Sequence, residues 1–167
     1  LFRSWTSLIM MPWTLKFLWS PFLEMFKTKK FFVVLTQMVT GAGFALVALA
    51  LQLPFFFAIC IALLAVIAFS GATHDVATDG VYMSELNKQD QAKYIGWQGA
   101  FYNIAKIVAS GGLVWLAGAL LVGFGGVEGA TEAVRHEATR HAWMTVMLIL
   151  AAVMLLLGFY HMQIGRA

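Results

Sequence analysis

His74, Asp75 and Asp79 fall inside the run Ser70-Gly71-Ala72-Thr73-His74-Asp75-Val76-Ala77-Thr78-Asp79, at the end of a long apolar stretch. On a helix the two aspartates stand one turn apart, with an imidazole beside the first. A charge in hydrocarbon costs from about 2.5 kcal/mol upward, so such groups face a bundle interior or a wet cavity and mark an ion or substrate route. The chemistry open to them is reversible proton binding. Burial favours the neutral carboxyl and a neighbouring lysine the charged one, while an imidazole can tune or relay the proton.

Lys16 and Lys106 are the other charges deep inside apolar segments. At about 1.5 Å of rise per residue, Asp75 and Lys106 both lie roughly 15–20 Å from the polar turn around Asp90, and Lys16 is similarly deep when counted back from Lys27. The three are therefore expected to share one membrane level in a common cavity, with Asp79 one turn nearer the polar end. Gln98, Tyr102, Asn103 and Ser110 accompany Lys106 on one broad polar helix face. Each residue also admits a plainer role. Lys106 and Asp75 can be a structural ion pair, Lys16 can snorkel to an interface, and His74 can be a hydrogen-bonded core residue.

The elements that must position these groups are membrane helices. Of 167 residues 61% are hydrophobic and 11% charged, against about 25% charged in soluble domains. That composition excludes a nucleic-acid binder despite the net charge of +3. Cys60 is the single cysteine, so neither a disulfide framework nor a thiolate metal site is available. No second cluster of His or carboxylates completes a metal site, and no cofactor is expected.

A span needs roughly 20 mostly apolar residues, and five segments qualify. They run from about Trp5 to Phe26, broken by Pro12 and Pro21, Phe31 to Leu51, Pro54 to Glu85, Tyr94 to Val122, and Ala142 to His161. The fold class is thus all-α, a polytopic membrane helix bundle. Charge in the span interiors is confined to the first, third and fourth, which should line a cavity; the second and fifth read as peripheral staves facing lipid. Gly96, Gly99, Gly111, Gly112 and Gly118 make the fourth span small-sided, a pattern that permits close helix contact. Lys27, Lys29 and Lys30, with Lys88 and Lys93, place their two loops in the cytoplasm. The mixed charges from Val127 to Arg140 suggest a short extracytoplasmic extension of the fifth helix.

The string Pro12-Trp13-Thr14-Leu15-Lys16-Phe17-Leu18-Trp19-Ser20-Pro21 resembles the second helix of AmpG-type muropeptide permeases of the major facilitator superfamily, and Thr73-His74-Asp75-Val76-Ala77-Thr78-Asp79 is similar to their fourth-helix pattern. Acetyl-CoA transporters share related features. The resemblance covers most of the chain and implies helices two to six of a twelve-helix carrier. Residues 1–167 would then be part of the N-terminal six-helix domain, the first helix and the C-terminal half lying outside. In the superfamily's loop after helix two, a Gly-x-x-x-Asp-Arg-x-Gly-Arg-Arg pattern is usual. Here Ser20 and Glu24 stand at the Gly and Asp positions, and Lys27, Lys29 and Lys30 replace the basic end.

The expected function is therefore secondary active transport, proton-coupled import of an anionic solute such as an anhydro-muropeptide across a bacterial inner membrane. Asp75, Asp79 and His74 would couple the proton. Lys16 and Lys106, with Gln98, Tyr102 and Asn103, would bind substrate, and Glu24, Lys27, Lys29 and Lys30 would form the cytoplasmic gating loop. Alternatives are an acetyl-CoA-transporter-like or other organic-solute carrier, and a structural or channel subunit whose charges only staple helices. An enzyme is not expected: Asp79-Gly80 resembles the start of a phosphatidyltransferase signature, but the remainder is missing after Val81.

Overall fold

A computed structural model of the chain describes residues 2–25 and 28–164, with the side chains of residues 2–6, 8 and 24 left out of the description. The described residues are helical throughout, with short turns between elements. Helix α1 (Phe2–Leu15) leads through a 3-10 turn (Lys16–Leu18) into α2 (Ser20–Met25). Next come α3 (Lys29–Ala50), α4 (Phe56–Glu85) and α5 (Lys88–Ile107). A π-helical turn (Val108–Gly112) joins α5 to α6 (Leu113–Gly123), and α7 (Glu132–Gln163) closes the chain. Four stretches are long and apolar enough to cross a membrane: Lys29–Ala50, Phe56–Glu85, Lys88–Gly123 and Glu132–Gln163.

Local chemistry sets the breaks. Pro21 has no N–H to give, and its ring would clash with the carbonyl four residues back, so a regular helix cannot run through 17–21. The chain tightens into the 3-10 turn and restarts at Ser20, with Pro21 in the first turn of α2, where its missing donor costs little. Thr28, Asn87 and Thr131 cap the starts of α3, α5 and α7, accepting from the N–H of Phe31 (3.3 Å), Asp90 (2.9 Å) and Val134 (3.4 Å). Gly125 and Gly129, at φ of 87° and 89°, supply the left-handed turns before α7. As expected from the sequence, α7 begins within the charged 127–140 segment. Near its start Glu137 pairs with Arg140 (3.3 Å) and His141 (3.0 Å).

The centre of the packing is α3, lying against α4 on one side and α7 on the other. This corrects the reading of the second span as a peripheral stave. Gly41, Gly43, Val47, Ala48 and Ala50 of α3 are buried, and on the facing helices so are Ala68, Ala72, Ala142 and Ala151. Side chains this small let backbones approach closely, which drives helix association where lipid removes the hydrophobic term. A Cβ on Gly41 would stand 2.7 Å from Leu155 Cγ, and one on Gly43 would stand 2.7 Å from Ile67 Cγ1. α3 and α7 run antiparallel, with Lys30 against Ile164, Gln37 against His161, and Gln52 against Met144.

Between α3 and α4 lies a buried hydroxyl pair. Thr40 donates to Ser70 Oγ (3.0 Å), and Ser70 donates to the Thr36 carbonyl (2.9 Å). Ser70→Ala is expected to cost about 0.6–1.7 kcal/mol, read as a lower thermal midpoint in detergent; an unchanged midpoint would show that the link contributes nothing.

The glycines of the fourth span behave differently from expectation. A Cβ at Gly96, Gly99, Gly111 or Gly118 would meet nothing within 4 Å, and one at Gly112 would meet only Val108 of its own helix. Of the most apolar 18 residues within Lys88–Gly123, 6% are buried; α6 packs on α7, while α5 lies largely apart from the other described helices beyond its elbow with α4. There Tyr82 donates to the Gln91 carbonyl, and Gln91 donates to the Leu86 carbonyl (2.7 Å).

Candidate functional site

Pro12 lies inside α1, and the 3-10 turn that follows places Lys16 beside α4. Trp13 and Lys16 sit three residues apart on one side of the chain, facing Gly71 and Asp75, which stand four residues apart on α4. The Trp13 ring covers Gly71, where an added Cβ would be 3.2 Å from the ring. One turn further along, Lys16 Nζ donates to Asp75 Oδ2, an ion pair between two separate helices. The two side chains keep 35% and 45% of their surface. The pair is therefore partly open to its surroundings and is not sealed in a core.

Asp79 lies one turn beyond Asp75 and within electrostatic reach of both Asp75 and Lys16, with the Gln98 side chain of α5 nearby. Two carboxylates thus share one ammonium, a cluster with a net negative charge when every member is ionised. Adding one proton makes it neutral.

His74 points to a different neighbourhood. Thr78 donates its single hydroxyl proton to the His74 carbonyl (2.7 Å) and lies 3.3 Å from His74 Nδ1, so it accepts from that nitrogen. This leaves His74 Nε2 as a buried lone pair with no partner among the described residues. His161 of α7 is within electrostatic reach of this ring and donates from Nδ1 to Gln37 Oε1 (2.9 Å). Gln37 is only 4% exposed. Sequence reasoning passed over Gln37 and His161. Their signal was that Gln37 is the strongest polar group of the second span, and that His161 ends the fifth span at the level where the second begins.

Of the residues expected to converge, the structure brings together Lys16, Asp75, Asp79 and Gln98. It does not bring in Lys106, which is exposed on α5 and makes no ion pair among the described residues. The expected three-way meeting at one level is therefore a two-helix meeting of Lys16 and Asp75. The physical reason is that α5 diverges from α4 beyond their elbow, so equal depth does not become proximity. Tyr102 and Asn103 share that open face, Asn103 donating to its own helix at the Gly99 carbonyl (2.9 Å). Ser110 likewise donates to the Lys106 carbonyl (2.7 Å).

Of the basic loop, Lys29 reaches the Gly80 carbonyl of α4 (3.2 Å) and Lys30 the Ile164 carbonyl beyond α7 (2.6 Å). These lysines tie the start of α3 to the ends of two neighbours. Lys27 and the Glu24 side chain lie outside the described residues. Among the described residues no three of His, Cys, Asp and Glu gather as a metal site would require. Compared with protein-family models, curated proteins and solved structures, the chain matches none.

Proposed function

We propose that this chain is five spans from the N-terminal half of a proton-coupled secondary transporter of the major facilitator type, importing an anionic solute such as an anhydro-muropeptide across a bacterial inner membrane. The broken helix α1–α2 supplies the first span in this reading. The observation that supports it best is the Lys16–Asp75 ion pair, which joins the first span to α4 in an apolar chain and is left partly open. A pair whose only task is to hold helices together gains nothing from that opening.

The charges give a coupling mechanism. With Asp75 ionised, Lys16 is neutralised by it and offers little to an anion. A proton on Asp75 cancels that attraction and frees the ammonium, so proton and anionic substrate bind cooperatively. Release of the proton on the other side restores the ion pair and displaces the anion. Asp79 holds or passes on the same proton, and His74 tunes it through its charge beside Asp75. Lys106, Tyr102 and Asn103 extend the polar surface along α5 for the remainder of the substrate, and Lys29 and Lys30 latch the cytoplasmic ends of the helices.

The test uses the full-length protein in phospholipid vesicles. An inward proton gradient is expected to accelerate uptake of a labelled anhydro-muropeptide and to be dissipated faster when that solute is present. Uptake indifferent to the gradient would refute the coupling; no uptake of any anionic solute would refute the carrier.

A further inference from the structure

Gly96, Gly99, Asn103 and Lys106 follow one another along α5 at intervals of three, four and three residues. That is the heptad spacing of a seam along which one helix packs against another. All four residues are exposed, and a Cβ at Gly96 or Gly99 would meet nothing within 4 Å. The α3 glycines differ: Gly41 and Gly43 are met by Leu155 and Ile67 of neighbouring helices. Asn103 donates to the Gly99 carbonyl of its own helix (2.9 Å), so its side chain lies back along the seam. Lys106 is the single charge between Lys93 and Glu128, and it makes no ion pair among the described residues. It stands roughly 20 Å along the helix from Lys93 at the helical rise. Snorkelling to an interface serves lysines near helix ends, not one at this depth, and a lipid phosphate is out of reach for the same reason.

We propose that this face of α5 is the docking site of a further membrane helix that carries a carboxylate at the level of Lys106. The inference rests on the transporter reading for one point, that this helix is another span of the same polypeptide. Small residues let a second backbone come close, and the heptad repeat keeps the two helices in contact along the seam. The ammonium then fixes the chemistry, since a lysine inside a span pairs with an acid. The acids of α4 do not serve. Gln98, the α5 residue near Asp79, is two residues from Gly96 and so stands on another side of the helix. A second copy of the chain does not serve either: a two-fold axis between α5 helices would set Lys106 against Lys106. In the empty transporter the carboxylate holds Lys106 as Asp75 holds Lys16, and a bound anion displaces it.

The test puts the photo-reactive residue benzoylphenylalanine in place of Asn103 in the full-length protein in phospholipid vesicles, and identifies the adducts by mass. The expected adduct is to an apolar segment of the same polypeptide outside residues 1–167, with an Asp or Glu within two turns of the cross-linked residue. Phe101 is 63% exposed and lies on the opposite side of α5, so the same label there should give lipid adducts. Gly99→Leu fills the seam and should lower the yield at Asn103 by at least about fivefold, the lower end of a coupling between sites; alanine, itself common in such seams, still fits. Lys106→Glu should lower the yield likewise, and replacing the identified acid by Lys should restore it, with Lys106→Gln as the second variant should Lys106→Glu fail to insert. Lipid adducts at Asn103, adducts to residues 1–167, to a second copy or to a separate protein, a cross-linked segment without an acid, or a yield indifferent to Gly99→Leu each overturn the proposal. None of these outcomes depends on solute uptake, so this inference and the transport reading fail separately.

Discussion

Asp75→Asn is expected to abolish the response of solute uptake to a proton gradient while leaving the protein in the membrane. The substitution keeps the size of the side chain and one oxygen for Lys16, so the α1–α4 contact through Trp13 and Gly71 is preserved. What it removes is the exchangeable proton. Because the amide is permanently neutral, Lys16 is permanently free, and the variant should bind the anionic solute at high pH as well as the wild type binds it at low pH. The proton-linked gain in anion affinity, about 5–150-fold for a coupling free energy of 1–3 kcal/mol, should be lost. Lys16→Gln should do the converse, weakening anion binding at every pH. Gradient-driven uptake that persists undiminished in Asp75→Asn would end the coupling role of this residue. Asp79→Asn would then be the variant to measure.

The second large effect concerns stability. Gly41→Ile is expected to destabilise the bundle by about 1–3 kcal/mol, the usual cost of overpacking, because its Cβ would lie 2.7 Å from Leu155 Cγ and 3.2 Å from the Ala151 carbonyl. A backbone oxygen cannot rotate away, so α3 and α7 must separate, loosening the Gln37–His161 bond as well. On the scale of soluble proteins of this length the Tm should drop by roughly 2–12 °C. Gly99→Ala is the contrast: its Cβ would meet nothing within 4 Å, so the gain in helix propensity, up to about 1 kcal/mol, is unopposed. Equal Tm values for the two variants would contradict the packing described here. Thermal unfolding followed by circular dichroism in detergent reads both.

Much of this was legible without coordinates. Hydropathy located the four long apolar stretches, because only an uninterrupted apolar run satisfies lipid. Pro21 announced a break in the first segment, since the ring fixes φ and removes a donor, whereas the break expected at Pro12 does not occur and α1 runs through it. That Lys16 and Asp75 share a level followed from depth along two helices, a one-dimensional quantity that sequence supplies; the ion pair the sequence suggested was Lys106 with Asp75, and the structure pairs Asp75 with Lys16 instead.

Where depth had to be combined with direction, sequence fell short. Lys106 shares the level of Asp75 but sits on a helix that leans away, and nothing in residue spacing encodes that divergence. The same limit applies to glycine. Gly41 and Gly99 look alike in a list of small residues, yet one is pressed against Leu155 and the other faces open space.

The chain by itself determined that it forms apolar helices, where they break and cap, and which few residues carry charge within them. These are consequences of local covalent geometry and of transfer from water, and both act residue by residue. Only the tertiary structure decided that α3 is central, that Gln37 meets His161, that α5 keeps the face around Lys106 open, and that two charged residues meet instead of three. Those outcomes depend on how close two helices come and at what angle, which is set jointly by every side chain along the contact.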